Sequence, residues 1–156
     1  MKVVVRVERV QPQWPKVDRV IRHCVRVALE HLGGVEKHEV AVRLTDNAEI
    51  QELNRRYRGI DKPTNILSFA MMNDADDFHP PGEPLLLGDL VIARETLLEE
   101  ARDQGKRFED HLVHLVVHGL LHLKGYDHEK SMDAALHQET MEIAILSRMG
   151  IHNPYE

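Results

Sequence analysis

A single cysteine, Cys24, stands in 156 residues. No internal disulfide can staple this fold, and no cysteine set can hold a structural zinc. A reducing cytoplasm fits that usage, and Cys24 sits in an apolar-periodic stretch that reads as core. No run reaches the roughly 18 apolar residues of a membrane span. The N-terminal stretch, Met1-Lys2-Val3-Val4-Val5-Arg6-Val7, is charged every few positions and does not read as a signal peptide. Positive charge is not in excess either. The formal net charge is −6, so any RNA or DNA contact must come from a local basic patch. No internal repeat, low-complexity tract or linker interrupts the chain. The expectation is one domain over residues 1–156, long enough for a proper core.

Periodicity lays out the elements. Residues 2–10 alternate valines with charges, a strand pattern. Residues 16–32 repeat apolar positions at helical spacing and end at Gly33-Gly34. Residues 39–45 alternate again. Asp46-x-x-Glu49 has the form of a capping box and opens a short helix to about Arg56. A polar, turn-rich stretch from Tyr57 to Asn65 leads into a short strand, Ile66 to Ala70. Residues 73–84, rich in aspartate and proline, read as a surface loop. Leu86 to Ala93 is a strand, paired with 66–70 as a wide hairpin. A charged helix covers 94–104, and a second runs from about Phe108 to Lys124. The latter is apolar nearly all round, as a buried central helix would be. Ser131 to Met149 is a last amphipathic helix before Gly150. The architecture is α/β or α+β, with one mixed sheet of about four strands and about five helices.

The central helix carries the chemistry. His118 and His122 are four residues apart and project from one face, about a turn from each other. Gly125 falls where the helix should stop, and His128 returns three residues later. Three neutral imidazoles with one open position describe a catalytic zinc site. One i, i+4 pair could arise by chance among 11 histidines, but His-x3-His-x5-His with a glycine at the turn is far more demanding. His111 and His114 share the stripe, within about 80° of the pair. His114 could therefore replace a ligand or hydrogen-bond one.

A zinc ion on such a site activates water and polarises carbonyl or phosphoryl oxygens, which suits hydrolysis. The spacing equals that of the long zincin motif of certain metalloproteases. Those proteases need a glutamate base after the first histidine, and this chain has Gly119. A second constellation is Asn54-Arg55-Arg56-Tyr57-Arg58-Gly59-Ile60-Asp61-Lys62-Pro63. Its arginines match phosphate oxygens, and Tyr57 could stack on an unpaired base. The plainer reading is that cations at a helix end complement its dipole. Beside a histidine metal site, the combination suggests phosphodiester chemistry.

The histidine motif His118-Gly119-Leu120-Leu121-His122-Leu123-Lys124-Gly125-Tyr126-Asp127-His128 resembles that of the YbeY family of bacterial endoribonucleases. So do Tyr57-Arg58-Gly59-Ile60-Asp61-Lys62-Pro63-Thr64-Asn65-Ile66-Leu67-Ser68-Phe69 and Leu87-Gly88-Asp89-Leu90-Val91-Ile92. The resemblance spans most of residues 40–156. It implies one zinc-type ion on His118, His122 and His128, with another divalent transition metal possible. It implies Arg58 and His118 as catalytic residues, and Arg55, Arg56, Tyr57, Arg58 and Lys62 as substrate contacts. The implied substrate is single-stranded RNA, not DNA, cleaved in small-subunit ribosomal RNA processing and ribosome quality control in the cytoplasm. The partners implied are ribosomal RNA and the small ribosomal subunit, with no membrane. Two readings compete with it. One is a zinc metalloprotease-like hydrolase. The other is a non-catalytic ribosome assembly factor with a structural metal, supported by the lack of an obvious general base.

Overall fold

Valines alternating with charges make β1 (Val3–Arg9), whose Val5 is buried while Arg6 and Glu8 face water. A turn then drives Trp14 into the core. Its indole donates to the Thr45 carbonyl at 2.8 Å and its ring meets Phe108 edge-on at 5.8 Å. The chain continues through α1 (Asp18–Leu32), β2 (His38–Thr45), α2 (Asn47–Arg58), β3 (Ile66–Ala70) and β4 (Leu85–Ala93). It closes with α3 (Arg94–Asp103), α4 (Phe108–Leu123) and α5 (Met132–Arg148). This is a computed structural model, and it describes residues 2–33, 37–71, 85–126 and 129–156. The stretch 73–84, read above as a surface loop, lies outside these residues, as do Asp127 and His128.

The sheet is mixed, as expected. Its order is β1-β2-β4-β3, with β1, β2 and β4 parallel and β3 antiparallel at the edge beside β4. The expected pairing of 66–70 with the following strand is there, from Ile66↔Ile92 to Ala70↔Gly88. Side chains alternate between two faces. Val40, Val42, Leu44, Leu90 and Ile92 join the main core with α1, α4 and α5. Leu67, Val91 and Ala93 point the other way and pack with Ile50 of α2.

α4 is the buried centre. Ten of its residues are buried, and α1, α3, α5, β3 and β4 surround it. Glycine lets it approach the sheet. A Cβ at Gly119 would lie 2.7 Å from Leu90 Cδ2 and 2.9 Å from Ile66 Cδ1. The helix ends where the sequence suggested, with Gly125 at φ 100°. α2 departs from expectation by running on to Arg58. Asp46 caps its start, accepting from the Glu49 amide at 2.8 Å. Gly59, left-handed at φ 71°, closes its end by donating to Arg55 O. The Glu49 carboxylate does not return to complete the capping box. It takes the Arg43 guanidinium at 2.6 and 2.8 Å instead.

Candidate metal centre and substrate cleft

One turn of α4 brings His118 and His122 side by side, with ring centroids 4.7 Å apart. Their Nε2 atoms face each other at 3.1 Å. Two lone pairs cannot meet at that distance without a proton or a cation between them. Two nitrogens on one tetrahedral zinc, each at 2.0–2.1 Å, would be separated by about 3.3 Å. The donor pair therefore fits a zinc-type ion with little adjustment. Among the described residues no set of three metal-binding side chains gathers at one place. The third ligand expected, His128, lies outside them. Cys24 is no candidate. Burial pushes its thiol up to about 12, and it donates to the Ile21 carbonyl.

The far side of His118 is also furnished. Its Nδ1 lies 3.2 Å from Glu142 Oε1 and 3.1 Å from Gln138 Nε2, both on α5. The same Glu142 oxygen receives His114 Nε2 at 2.9 Å and the Tyr155 hydroxyl at 3.0 Å. Burial alone would raise the Glu142 carboxyl. The hydrogen bonds from His114 and His118 outweigh it and hold the carboxyl at about 2. Burial, followed by the charge on Glu142, raises the Tyr155 phenol above its usual range, so it remains a donor. His114 thus reaches the carboxylate that holds His118, rather than the gap between His118 and His122. His111, at the start of the stripe, binds Glu100 at 2.9 Å, and Glu100 also accepts from Asn65 at 3.0 Å.

Across from the pair, a cleft of about 680 Å³ is lined by Tyr57, Arg58, Asn65, Ser68, His118 and His122, among others. Arg58 is the last residue of α2, and the turn after it is tied down. Asn54 Nδ2 donates to Lys62 O at 2.9 Å, and Gln51 donates to Asp61 at 3.0 Å. Tyr57 is 62% exposed and leans edge-on against Phe69 at 5.3 Å. Arg55 and Arg56 turn instead to Glu52, at 2.5 and 3.5 Å. Neither they nor Lys62 lines the cleft. A larger hollow of about 860 Å³ lies on the α2 side of the sheet. It holds no histidine, and its arginines are already paired, Arg6 with Glu39 and Arg43 with Glu8 and Glu49.

A family model described as Endoribonuclease YbeY matches residues 4–150. The chain belongs to the YbeY family. Among its relatives is the endoribonuclease YbeY of Magnetococcus marinus, 58% identical over 121 residues that cover 75% of this chain and 82% of the other. That of Paramagnetospirillum magneticum is 49% identical over 150 residues, covering 92% of this chain and 90% of the other. The solution structure of TM1509 from Thermotoga maritima superposes with a TM-score of 0.59 at 25% identity, over 98% of this chain and 96% of that one. The relatives' name is that of hydrolases acting on RNA, so the resemblance read from the histidine and arginine motifs holds.

Within this YbeY-family chain the missing glutamate at 119 has a steric cause. Position 119 faces the sheet, where even a methyl group meets Leu90 and Ile66. A protease-type base has no room there. Sequence reasoning missed Glu142 and Gln138, although a signal existed. The buried positions of α5 are 138, 142, 145 and 146, a helical stripe whose first two members are polar. A polar residue on a buried stripe asks for a partner, and here the partner is His118.

Proposed function

We propose that this chain, as one domain over residues 1–156, is a metal-dependent endoribonuclease that cuts single-stranded RNA during maturation of small-subunit ribosomal RNA. The observation that carries the proposal is the convergence of His118 and His122, Nε2 atoms 3.1 Å apart, on a cleft that Arg58 also lines. His118, His122 and His128 would hold one zinc or similar divalent ion. Such an ion, when bound, supplies Lewis acidity and a water ionised near neutral pH, with a pKa of about 7.

The chain's own groups do the rest. Arg58 offers a planar fork of N–H donors to the non-bridging oxygens of a phosphodiester and steadies the charge that builds on them. Its position at the end of α2 is fixed by the tied-down turn at 59–62. Tyr57 presents an exposed ring on which an unpaired base can stack, a contact that favours single strands. Asn65 and Ser68 also line the cleft. Ser68 is held toward α4 by donating to the Gly119 carbonyl at 3.4 Å. Ribosomal RNA and the small ribosomal subunit are the partners this reading assigns, in the cytoplasm. A buried, unbridged Cys24 suits that compartment. No helix of the described residues is long and apolar enough to cross a membrane.

The test is cleavage of an end-labelled single-stranded RNA by metal-analysed protein, beside His118→Ala and a duplex of the same sequence. Endonucleolytic products from the wild type alone, on the single strand alone, are expected. Equal cleavage by His118→Ala would remove the histidine centre from the reaction.

A further inference from the structure

We propose that Glu142 is a positioning residue for the metal centre. Its carboxylate is clamped by His114 and by Tyr155, accepts the Nδ1 proton of His118, and so commits the Nε2 lone pair of His118 to the metal. The inference rests on the reading of His118 as a metal ligand.

The hydrogen-bond inventory decides the tautomer. His118 Nδ1 faces Glu142 Oε1 at 3.2 Å. A carboxylate oxygen can only accept. That oxygen already accepts from His114 Nε2–H at 2.9 Å and from the Tyr155 hydroxyl at 3.0 Å. Were Nδ1 unprotonated, its lone pair would face an anionic oxygen inside a site where Glu142 is 1% exposed. Such a pair repels, and burial denies it water as a go-between. With the proton on Nδ1, all three donors converge on one buried anion and the contact is favourable.

Gln138 is compatible with the same assignment. Its Nε2 stands 3.1 Å from His118 Nδ1, and its Oε1 has no hydrogen-bond partner among the described residues. Gln138 is fully buried, so an orphaned oxygen there is costly. Turning the amide by 180° brings Oε1 onto Nδ1–H, so the side chain accommodates a proton on Nδ1. A protonated Nδ1 shares its one hydrogen between Glu142 and the turned Gln138 oxygen, and an unprotonated one leaves Glu142 opposed.

Geometry then transmits the effect. His118 is held from behind by α5 and points its other nitrogen at His122 Nε2, 3.1 Å away. An anionic acceptor on the far nitrogen orients an imidazole and makes it a better donor to a metal. Tyr155 comes from the C-terminal turn, where its own amide donates to Asn153 Oδ1 at 2.8 Å. The clamp therefore ties that turn to the centre, 13 residues beyond Glu142 on the chain.

The experiment uses the full chain, stripped of metal and retitrated with zinc against a chelator of known affinity. Glu142→Gln keeps the shape and removes the charge. It should weaken zinc binding about 10–100-fold, with Tyr155→Phe weakening it less. Ile145→Val, a packing change on the same helix that removes no polar group of the clamp, should leave affinity unchanged. Proton–nitrogen NMR of the zinc-loaded wild type should show a strongly hydrogen-bonded Nδ1 proton on His118, moved upfield in Glu142→Gln. Unchanged zinc affinity in Glu142→Gln would overturn the proposal, as would an equal loss in Ile145→Val. If Glu142→Gln does not fold, Tyr155→Phe decides. A shifted Nδ1 proton with weaker binding supports the clamp, and no change in either overturns it. Wild-type protein that binds no zinc, or His118→Ala that binds as well as wild type, would defeat the ligand assignment itself. That result is distinct from a wild type that binds at His118 without help from Glu142.

Discussion

Arg58 is the side chain on which the functional reading turns most sharply, because three roles predict three different outcomes. As a donor to the charge that builds on phosphate oxygens, it should be worth about 10²–10³ in rate. Arg58→Ala would then lower kcat with little change in RNA affinity. Arg58→Lys should rescue poorly, since a point charge does not reproduce the two-pronged fork. As a simple backbone clamp, its loss would weaken binding and flatten the salt dependence by about one unit, with kcat intact. As a helix-end cation alone, its loss would cost only about 0.3–1 kcal/mol of stability. Single-turnover cleavage and binding at two salt concentrations separate these, and the first outcome is expected. Arg58 and the histidine pair were legible in sequence because each is a local pattern: a cationic run, and an i, i+4 spacing. Glu142 was not, because its partners His114 and His118 sit on a different helix, 28 and 24 residues away.

Elements were legible wherever one period ran long enough. The alternation of β1 and β2 and the all-round apolar surface of α4 each gave the element within a residue or two of its observed ends. Strand order was not legible in the same way, because β2 pairs with β4 across an intervening helix and strand. The end of α2 was also misjudged. Its last turn, Arg55-Arg56-Tyr57-Arg58, is polar and shows no apolar period, yet the left-handed Gly59 keeps it helical. That extra half-turn puts Arg58 on a rigid element instead of a loop. Gly119 offers a test of how closely α4 meets the sheet. Alanine is the better helix former by about 1 kcal/mol. Its methyl, however, would press on the fully buried Leu90 and on Ile66 of β3. Overpacking of this kind costs about 1–3 kcal/mol. Gly119→Ala should therefore be net destabilising, by roughly 1 kcal/mol, or about 2–4 °C in Tm. An unchanged or raised Tm in differential scanning calorimetry would show that the sheet gives way. Gly88→Ala should be far worse, since its Cβ would lie 2.1 Å from the Phe69 carbonyl oxygen.

The molecule as a whole should lose stability in acid through carboxylates held below their ordinary range. The hydrogen bond from His111 does this for Glu100, against burial and with help from Asn65. The Arg43 guanidinium does it for Glu49. A carboxyl more acidic in the folded chain takes its proton later on acidification than the same group unfolded. Its contribution is therefore complete above the unfolded value of about 4.3 and drains away as pH falls through the lower folded value. Urea midpoints should fall between about pH 5 and 3. Glu49→Gln, which removes one such group, should show a shallower fall, and a slope equal to wild type would exclude the Arg43 pair as a source.

Metal removal asks a different question of the same whole, because the histidine pair sits at the margin of a core that does not depend on it. The main cluster is built from α1, α4, α5 and the sheet, and His118 and His122 are only partly buried beside it. A chain of this length buries most of the surface that its unfolded form exposes, and it needs no ion to close its core. Chelation should therefore leave the far-ultraviolet circular dichroism helical, unlike that of a zinc finger, which unfolds without its metal. The ion should still register as a ligand of the folded state. At about 100 times its dissociation constant it adds about 2.7 kcal/mol. For a domain near this size that is about 5–10 °C in Tm, at roughly 2–4 °C per kcal/mol. In His122→Ala that increment should vanish while the metal-free Tm stays close to wild type. Wholesale loss of helix on chelation would instead mark the ion as structural and favour an assembly factor over a nuclease.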